Sequence, residues 1–383
     1  MRTLELLQEL ICRPSITPND AGCQTLIAER LHALGFSIRH IHLGDTDNLW
    51  VTHGEGAPLV AFAGHTDVVP AGDEVAWTSP PFTPAIRDGK IYGRGVADMK
   101  AGVAAMVVAL ERLTAQPHPG TLALLLTSDE EGDALDGIQA VLPILEKEGA
   151  HMDYCIVGEP SCAITLGDQA RNGRRGSLSL HLTVHGKQGH VAYPEKTRNP
   201  IHALASIVAR LATNVWDKGN AHFPPTSFQT SNIISGTGAE NVVPANAQCK
   251  MNWRYNTEHS KDSLQQQATD MIDTILADWH MQADYHWKLS GEPFLTDNPA
   301  LMQALKDAVA THCGKTLRFD TGGGTSDARF IARYGTATIE FGPLIESIHQ
   351  VDENVDISVL EPLTAVYVDC VRNLWNILAH HKD

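Results

Sequence analysis

Two short, uninterrupted apolar runs, "PLVAFAG" beginning at Pro58 and "TLALLL" beginning at Thr121, bracket the helically spaced segment "DMKAGVAAMVVALERLTA". A strand that is apolar at nearly every position is buried on both faces, which occurs where helices cover both sides of a largely parallel sheet. This pattern predicts an α/β fold with α/β/α layers. The flanking sequence agrees with it. "MRTLELLQELI" and "AGCQTLIAERLHALG" have helical spacing, "FSIRHIHL" and "NLWVTHG" have strand character, and "DALDGIQAVLPILEKEG" reads as a helix leading into the strand "DYCIVG".

Near residue 176 the pattern changes. "SLSLHLTVHG" alternates strictly, placing Leu178, Leu180, Leu182 and Val184 on one face and polar residues on the other, as in a sheet with one wet face. A helix over residues 200–216, strands in "SFQTSNIISG" and "AQCKMNWRYN", a helix over residues 260–279 and the strand "ADYHWKLSG" complete a β-α-β-β-α-β order. That order predicts an inserted α+β, ferredoxin-like unit. The expected domains are residues 1–175 with 292–383, interrupted by residues 176–291. The 383 residues suffice for two such domains, each with its own core.

Charge narrows the functional classes. With 29 basic against 45 acidic residues, a formal balance of −16, neither nucleic acid nor an anionic membrane is an expected partner. No apolar stretch is long enough to span a bilayer, and the N-terminal helix, with Glu5 and Glu9 among its leucines, does not read as an export signal. Seven scattered cysteines without CxxC spacing suit reduced thiols and a cytoplasmic location. No GxSxG turn or Walker lysine motif is present, and "GRGVAD" ends in Asp98 where a dinucleotide fingerprint needs Gly or Ala. The "TGGGTS" run reads as close backbone approach rather than as a phosphate nest.

Polar clusters follow the apolar runs. They are "GHTDVVP" with His65 and Asp67, "GRGVADMKAG" with Asp98, "TSDEEG" with Asp129, Glu130 and Glu131, "VGEPS" with Glu159, and "SIHQVDE" with His349. Taken singly, a histidine or carboxylate at a strand end is more often a turn or cap residue than a ligand. Taken together they carry more, because residues beyond the carboxyl ends of strands in an open α/β sheet converge on one crevice. Adjacent carboxylates at the mouth of an apolar strand also call for a compensating cation or solvent. Two histidines and several carboxylates suit zinc or a similar divalent ion, and a shared carboxylate allows two.

The motifs "FAGHTDVVP", "GRGVADMKAG", "TSDEEG" and "VGEPS" resemble, in order and spacing, the dinuclear-zinc aminoacylase and carboxypeptidase family of metallopeptidases. "NGRRGSL", "GKQGHVAYP", "GTGAENVVP" and "GGGTSDARFIA" are similar to its desuccinylase branch, and the likeness extends over essentially the whole chain. The resemblance implies a zinc-peptidase-like catalytic domain, two zinc ions per subunit with cobalt able to substitute, and a homodimer formed through the inserted lid domain. It implies that His65 and Glu159 hold one ion, Glu131 and His349 the other, and that Asp98, followed by a cis peptide, bridges them. It gives Asp67 the task of fixing the His65 ring, Glu130 that of proton carrier, and His190, from the partner subunit, that of oxyanion donor. Arg174, Ser177, Tyr193, Asn241, Arg254 and Thr325 are the implied substrate contacts, arginine forks being suited to carboxylates.

The implied reaction is hydrolysis of the small-molecule amide N-succinyl-LL-2,6-diaminopimelate to succinate and LL-2,6-diaminopimelate, supplying lysine and cell-wall precursors. Acetylornithine-type deacylases or dipeptidases of the same family are the nearest alternative, and a non-catalytic carboxylate-binding homologue is a third. The chain departs from the branch at Ile345, Glu346 and Ser347, where Asn-Ala-Thr usually precedes Ile-His. An amide donor is thereby replaced by an aliphatic side chain, which bears on substrate choice more than on His349. Asp129, the remaining acid of the triplet, is expected to support its loop.

Overall fold

The apolar runs become the central strands of an eight-stranded sheet. In the computed structural model, which describes residues 2–380, the principal elements run α1 (Arg2–Ile11), α2 (Cys23–His32), β1 (Ser37–Leu43), β2 (Thr46–Gly54), β3 (Leu59–His65), α3 (Ala101–Leu113), β4 (Thr121–Thr127), α4 (Ile138–Lys147), β5 (Tyr154–Val157), β6 (Gln169–Arg171), β7 (Gly176–His185), α5 (Pro200–Ala212), β8 (Ser227–Ser235), β9 (Asn246–Tyr255), α6 (Lys261–Asp278), β10 (Gln282–Gly291), α7 (Pro299–Cys313), β11 (Arg318–Asp320), α8 (Ala328–Ala332), β12 (Ala337–Glu340) and α9 (Leu360–His380).

The large sheet has the order β1-β2-β4-β3-β5-β12-β6-β11. Its centre is parallel, with His65 opposite Thr127, Ala63 opposite Val157, and Glu340 opposite Val157. Val60 and Phe62 of β3 and Leu122, Leu124 and Leu126 of β4 join one core with the apolar faces of α1, α3, α7 and α9. Their alternates, Ala61, Ala63, Ala123 and Leu125, are equally buried, which is why both runs are apolar throughout. A fully buried Leu or Val contributes ~1.5–3 kcal/mol, so this sheet is a rigid base for the loops at its end.

Two helices start later than the spacing suggests. The run from Asp98 becomes helical only at Ala101, because Asp98 and Met99 have non-helical φ/ψ and are joined by a cis peptide. The run from Asp133 becomes helical only at Ile138, since the Asp129 carboxylate accepts the Asp136 N–H at 3.0 Å and Ala134 sits at φ 53. In both places the polar residues serve the loop and not the helix.

The chain divides into two compact units, Met1–Gly173 with Leu295–Asp320 and Ser326–Asp383, and Arg174–Phe294 with Thr321–Thr325. In the second, β8-β9-β7-β10 form an antiparallel sheet, the strand order of a β-α-β-β-α-β unit. Leu178, Leu180, Leu182 and Val184 pack against Ala203, Leu204, Ile207, Leu264, Ala268 and Ile272 of α5 and α6, while His181 and His185 face solvent. The short segment Thr321–Thr325 groups with this unit for a visible reason. The Thr321 hydroxyl donates to the His222 carbonyl at 2.7 Å, and Arg174 donates to the Gly322 carbonyl at 2.9 Å. None of the described helices is long and apolar enough to cross a membrane, and all seven cysteines are unpaired.

Candidate metal centre

Parallel strands of matched register end together, so the residues just after β3, β4, β5 and β12 are neighbours although far apart in sequence. His65 ends β3 itself, the loops there deliver Glu130 with Glu131, Glu159 and His349, and Asp98 comes in from the turn ahead of α3. His65 Nε2 lies 3.2 Å from Asp98 Oδ1 and 3.7 Å from Glu159 Oε1. His349 Nε2 lies 3.4 Å from Asp98 Oδ2 and 3.0 Å from Glu131 Oε1. Asp98 therefore addresses a different histidine with each of its oxygens. One ligand atom each from His65, Glu130 and Glu159, and likewise from His65, Asp98 and Glu131, falls within 4.8 Å of the others.

Two glycines make this convergence possible. Gly95 has φ 77, and a Cβ on it would lie 2.1 Å from Val68 Cγ1, so the turn before Asp98 can press against the His65 loop only with glycine there. Gly102, in the first turn of α3, would place a Cβ 2.1 Å from the Gly158 carbonyl, next to Glu159.

The His65 ring is oriented by the Asp67 main chain. Its Nδ1 is 2.8 Å from the Asp67 carbonyl oxygen and 3.6 Å from the carboxylate, which fixes Nε2 toward Asp98 and Glu159. The Asp67 carboxylate instead accepts the N–H groups of Glu130 at 3.4 Å and Glu131 at 3.1 Å. His349 stands at φ 60 in a loop closed by Ser347, whose hydroxyl donates to the Asn354 carbonyl at 2.8 Å and accepts the Asn354 N–H at 3.0 Å. The serine of the unusual Ile345-Glu346-Ser347 stretch thus shapes the His349 loop.

Electrostatics mark the cluster as one that calls for cations. Two carboxylates ~4 Å apart repel by about 4 kcal/mol at an effective dielectric of about 20, and several share this space. Burial, then the charges of Glu159 and Asp327, pushes the Glu130 carboxyl well above its usual range. Burial also opposes the charging of His65, yet the bond to Asp98 and the charges of Asp67 and Glu159 override it and raise the imidazole. His349, half exposed, rises to about 10 through its bonds to Asp98 and Glu131. Burial alone would raise Asp98, but its bonds to His349 and His65 hold it well below the carboxylate range. The donor set of two imidazoles and several carboxylates, desolvated and short of positive charge, fits divalent metal ions.

Three residues that sequence reasoning did not single out belong to the surroundings. Arg329 is buried with Nη1 3.8 Å from Glu130 Oε1, and Asp327 is pushed by burial up to about 6 against the pull of Arg329. Both sit in "SDARFIA", the end of a branch-like motif in which only Thr325 is an implied contact. Glu353 is fully buried and bonded to the turn before Asp98. Its only sequence signal is an acid four residues past His349.

The other candidates lie in the second unit and form two groups there. Ser177 and Arg254 are register partners at one end of β7 and β9, with Asn252 Nδ2 donating to Ser177 Oγ at 3.1 Å. Arg174, buried, precedes Ser177 and is tied to Gly322, three residues from Thr325. His190, Tyr193 and Asn241 cluster separately: the His190 and Tyr193 ring centroids are 5.8 Å apart, and the Val191 N–H donates to the Asn241 carbonyl at 3.1 Å. All three of these residues are exposed.

With this geometry in hand, comparison with known proteins is specific. Residues 61–373 match the model of peptidase family M20/M25/M40. Proteins named succinyl-diaminopimelate desuccinylase from Stenotrophomonas maltophilia (strain R551-3) and Halorhodospira halophila are 53% identical over 373 residues and 50% identical over 374 residues, each alignment covering 97% of this chain and 98% of the relative. Among solved structures, a tripeptidase from Staphylococcus aureus superposes with a TM-score of 0.80 at 22% identity, covering 98% of each chain. A dinuclear metal-binding peptidase from Bacillus subtilis superposes at 0.73 with 15% identity, covering 98% of this chain and 97% of the other.

Proposed function

The chain belongs to peptidase family M20/M25/M40, and from that premise we propose that it is a metal-dependent amide hydrolase acting on N-succinyl-LL-2,6-diaminopimelate. The observation that carries this reading is Asp98, set between His65 and His349, with Glu131 grouped beside it and Glu130 beside His65 and Glu159. The substrate rests on relatives at 50–53% identity over nearly their whole length.

In this reading His65 and Glu159 hold one zinc ion, Glu131 and His349 a second, and Asp98 is shared. Two such ions, when bound, lower the pKa of a water and polarise a carbonyl. The chain's own groups do the rest. Glu130 does not double as a ligand; its carboxylate takes the proton of the attacking water and returns it to the leaving amine nitrogen. Burial and the charges of Glu159 and Asp327, which raise the Glu130 carboxyl in the metal-free cluster, favour the form that holds the proton. Arg329 Nη1 stands 3.8 Å from Glu130 Oε1, a positive charge beside that carboxyl. Asp67 locks the peptide on which Glu130 and Glu131 sit.

Binding of the substrate carboxylates falls to Arg174 and Arg254 with Ser177, Tyr193, Asn241 and Thr325, and His190 supplies a donor to the oxyanion across a homodimer. The exposed Ile233 and Ile234 on β8, an edge strand of the second unit, support pairing through that unit. The role is that of a cytoplasmic biosynthetic enzyme. Succinate release by zinc-reconstituted protein tests the proposal, with acetylornithine and simple dipeptides as competing substrates. Faster turnover of either competitor would reassign the substrate, and no turnover of any would remove the enzymatic reading.

A further inference from the structure

The turn that carries Asp98 in the metal centre is held by a residue from a distant loop. Glu353 is fully buried and accepts four hydrogen bonds: from Arg94 Nη1 and the Gly95 N–H on Oε2, each 2.8 Å, and from the Ala97 N–H at 2.8 Å and the Asp98 N–H at 3.1 Å on Oε1. Every group facing it is a donor, so only a carboxylate, with acceptors at both oxygens, satisfies the arrangement. Its own carbonyl accepts the Gly93 N–H at 3.0 Å, so main chain and side chain grip the same turn.

Arg94 completes the clamp. Its guanidinium is buried, donates to Glu353 and to the Gln350 carbonyl at 3.1 Å, and lies 5.0 Å from the Trp77 ring centroid. Gln350 follows His349 directly. The loop over residues 347–354 therefore does two things, presenting His349 to Asp98 Oδ2 and holding the Asp98 amide through Glu353.

We propose that Glu353, anchored by Arg94, is a positioning residue that sets the Asp98 carboxylate for ion binding and couples it to the loop bearing His349. The inference rests on the metal-centre reading given under Proposed function. It concerns the step before chemistry, because Asp98 would be shared by both ions and any freedom in its peptide would be felt at both. Outer partners of metal ligands influence affinity on a scale of about 10–100-fold.

Zinc titration of metal-free protein by calorimetry tests this. Wild-type protein is expected to bind two equivalents, and Glu353→Gln, which turns one acceptor into a donor facing donors, to bind zinc about 10–100-fold more weakly. Thr364→Ala serves as the stability control, since it removes a buried hydroxyl paired with Thr3 at 2.9 Å in α9. It should lower the melting temperature and leave zinc affinity unchanged. Equal zinc affinities in wild type and Glu353→Gln would overturn the inference alone, whereas a wild type that binds no zinc would overturn the functional reading. Should Glu353→Gln fail to fold, Arg94→Lys decides by the same titration: weakened zinc binding supports the clamp, and wild-type affinity refutes it.

Discussion

Asp67 accepts the Glu131 N–H at 3.1 Å, so the loop after β3 holds the loop after β4 by a buried carboxylate. The side chain next but one to His65 thereby fixes the peptide of the glutamate pair, while its carbonyl fixes the His65 ring. Asp67→Asn keeps the carbonyl and one acceptor oxygen, whereas Asp67→Ala leaves the Glu130 and Glu131 N–H groups without their carboxylate. We expect Asp67→Ala to lower kcat by roughly 10–100-fold with zinc content nearly intact, and Asp67→Asn to lose less. Steady-state kinetics with metal analysis on both variants checks this. Equal, undiminished kcat in both would show that the carboxylate does not matter to the pair it holds.

Glu130→Gln separates proton transfer from ion binding. The substitution preserves shape and the hydrogen-bonded backbone but removes a group able to exchange a proton. The expected result is a fall in kcat of about 10²–10⁴-fold with two zinc equivalents retained. A variant that lost zinc in step with activity would overturn this and make Glu130 a ligand alongside His65 and Glu159, with which it is grouped.

How much of this was legible in the sequence differs between scaffold and site. The buried parallel strands were legible because double-sided burial leaves no polar position in "VAFA" or "LALLL". Their strand-end acids and histidines were legible as one site because parallel strands finish together. The turn at Asp98 was not, since "DMKAGVAAM" has helical spacing and the N–H groups of Ala97 and Asp98 are taken up by Glu353, more than 250 residues away in the sequence. The division of labour in Asp67 was equally hidden. Sequence can place a carboxylate near a histidine, but which atom meets the ring depends on the backbone path. Arg329 was missed because a buried guanidinium beside Glu130 looks, in sequence, like any arginine at the start of a short helix.

The raised imidazole of His349 predicts a pH dependence in the metal-free protein. Its folded pKa of about 10 lies above the unfolded value of ~6.5, so its contribution to stability is fully present below pH ~6.5 and is lost as pH rises toward about 10. His349→Ala should therefore melt below wild type near pH 6, with the gap closing toward pH 10. Because the ring is half exposed, solvent screens the effect and the gap should be modest. Melting curves of the chelator-treated proteins across that range check it. A gap that widens with pH would reverse the assigned sign.

Restoring metal should stabilise the first unit by more than any single hydrogen bond in it. The carboxylates around His65 repel one another wherever protons do not neutralise them, and that repulsion acts on loops seated on a rigid sheet, so it persists as strain on the folded state. Ions that bind the folded cluster and not the unfolded chain add about 2.7 kcal/mol at 100 times their dissociation constant. For a unit of this size each kcal/mol corresponds to roughly 2–4 °C in melting temperature, so saturating zinc should raise the transition by about 5–10 °C. Asp98→Asn should blunt that rise, because the shared carboxylate faces both histidines and its loss weakens each ion together. Scanning calorimetry of metal-free and zinc-saturated protein, with Asp98→Asn alongside, measures both effects. An undiminished rise in Asp98→Asn would mean that the ions do not share that residue.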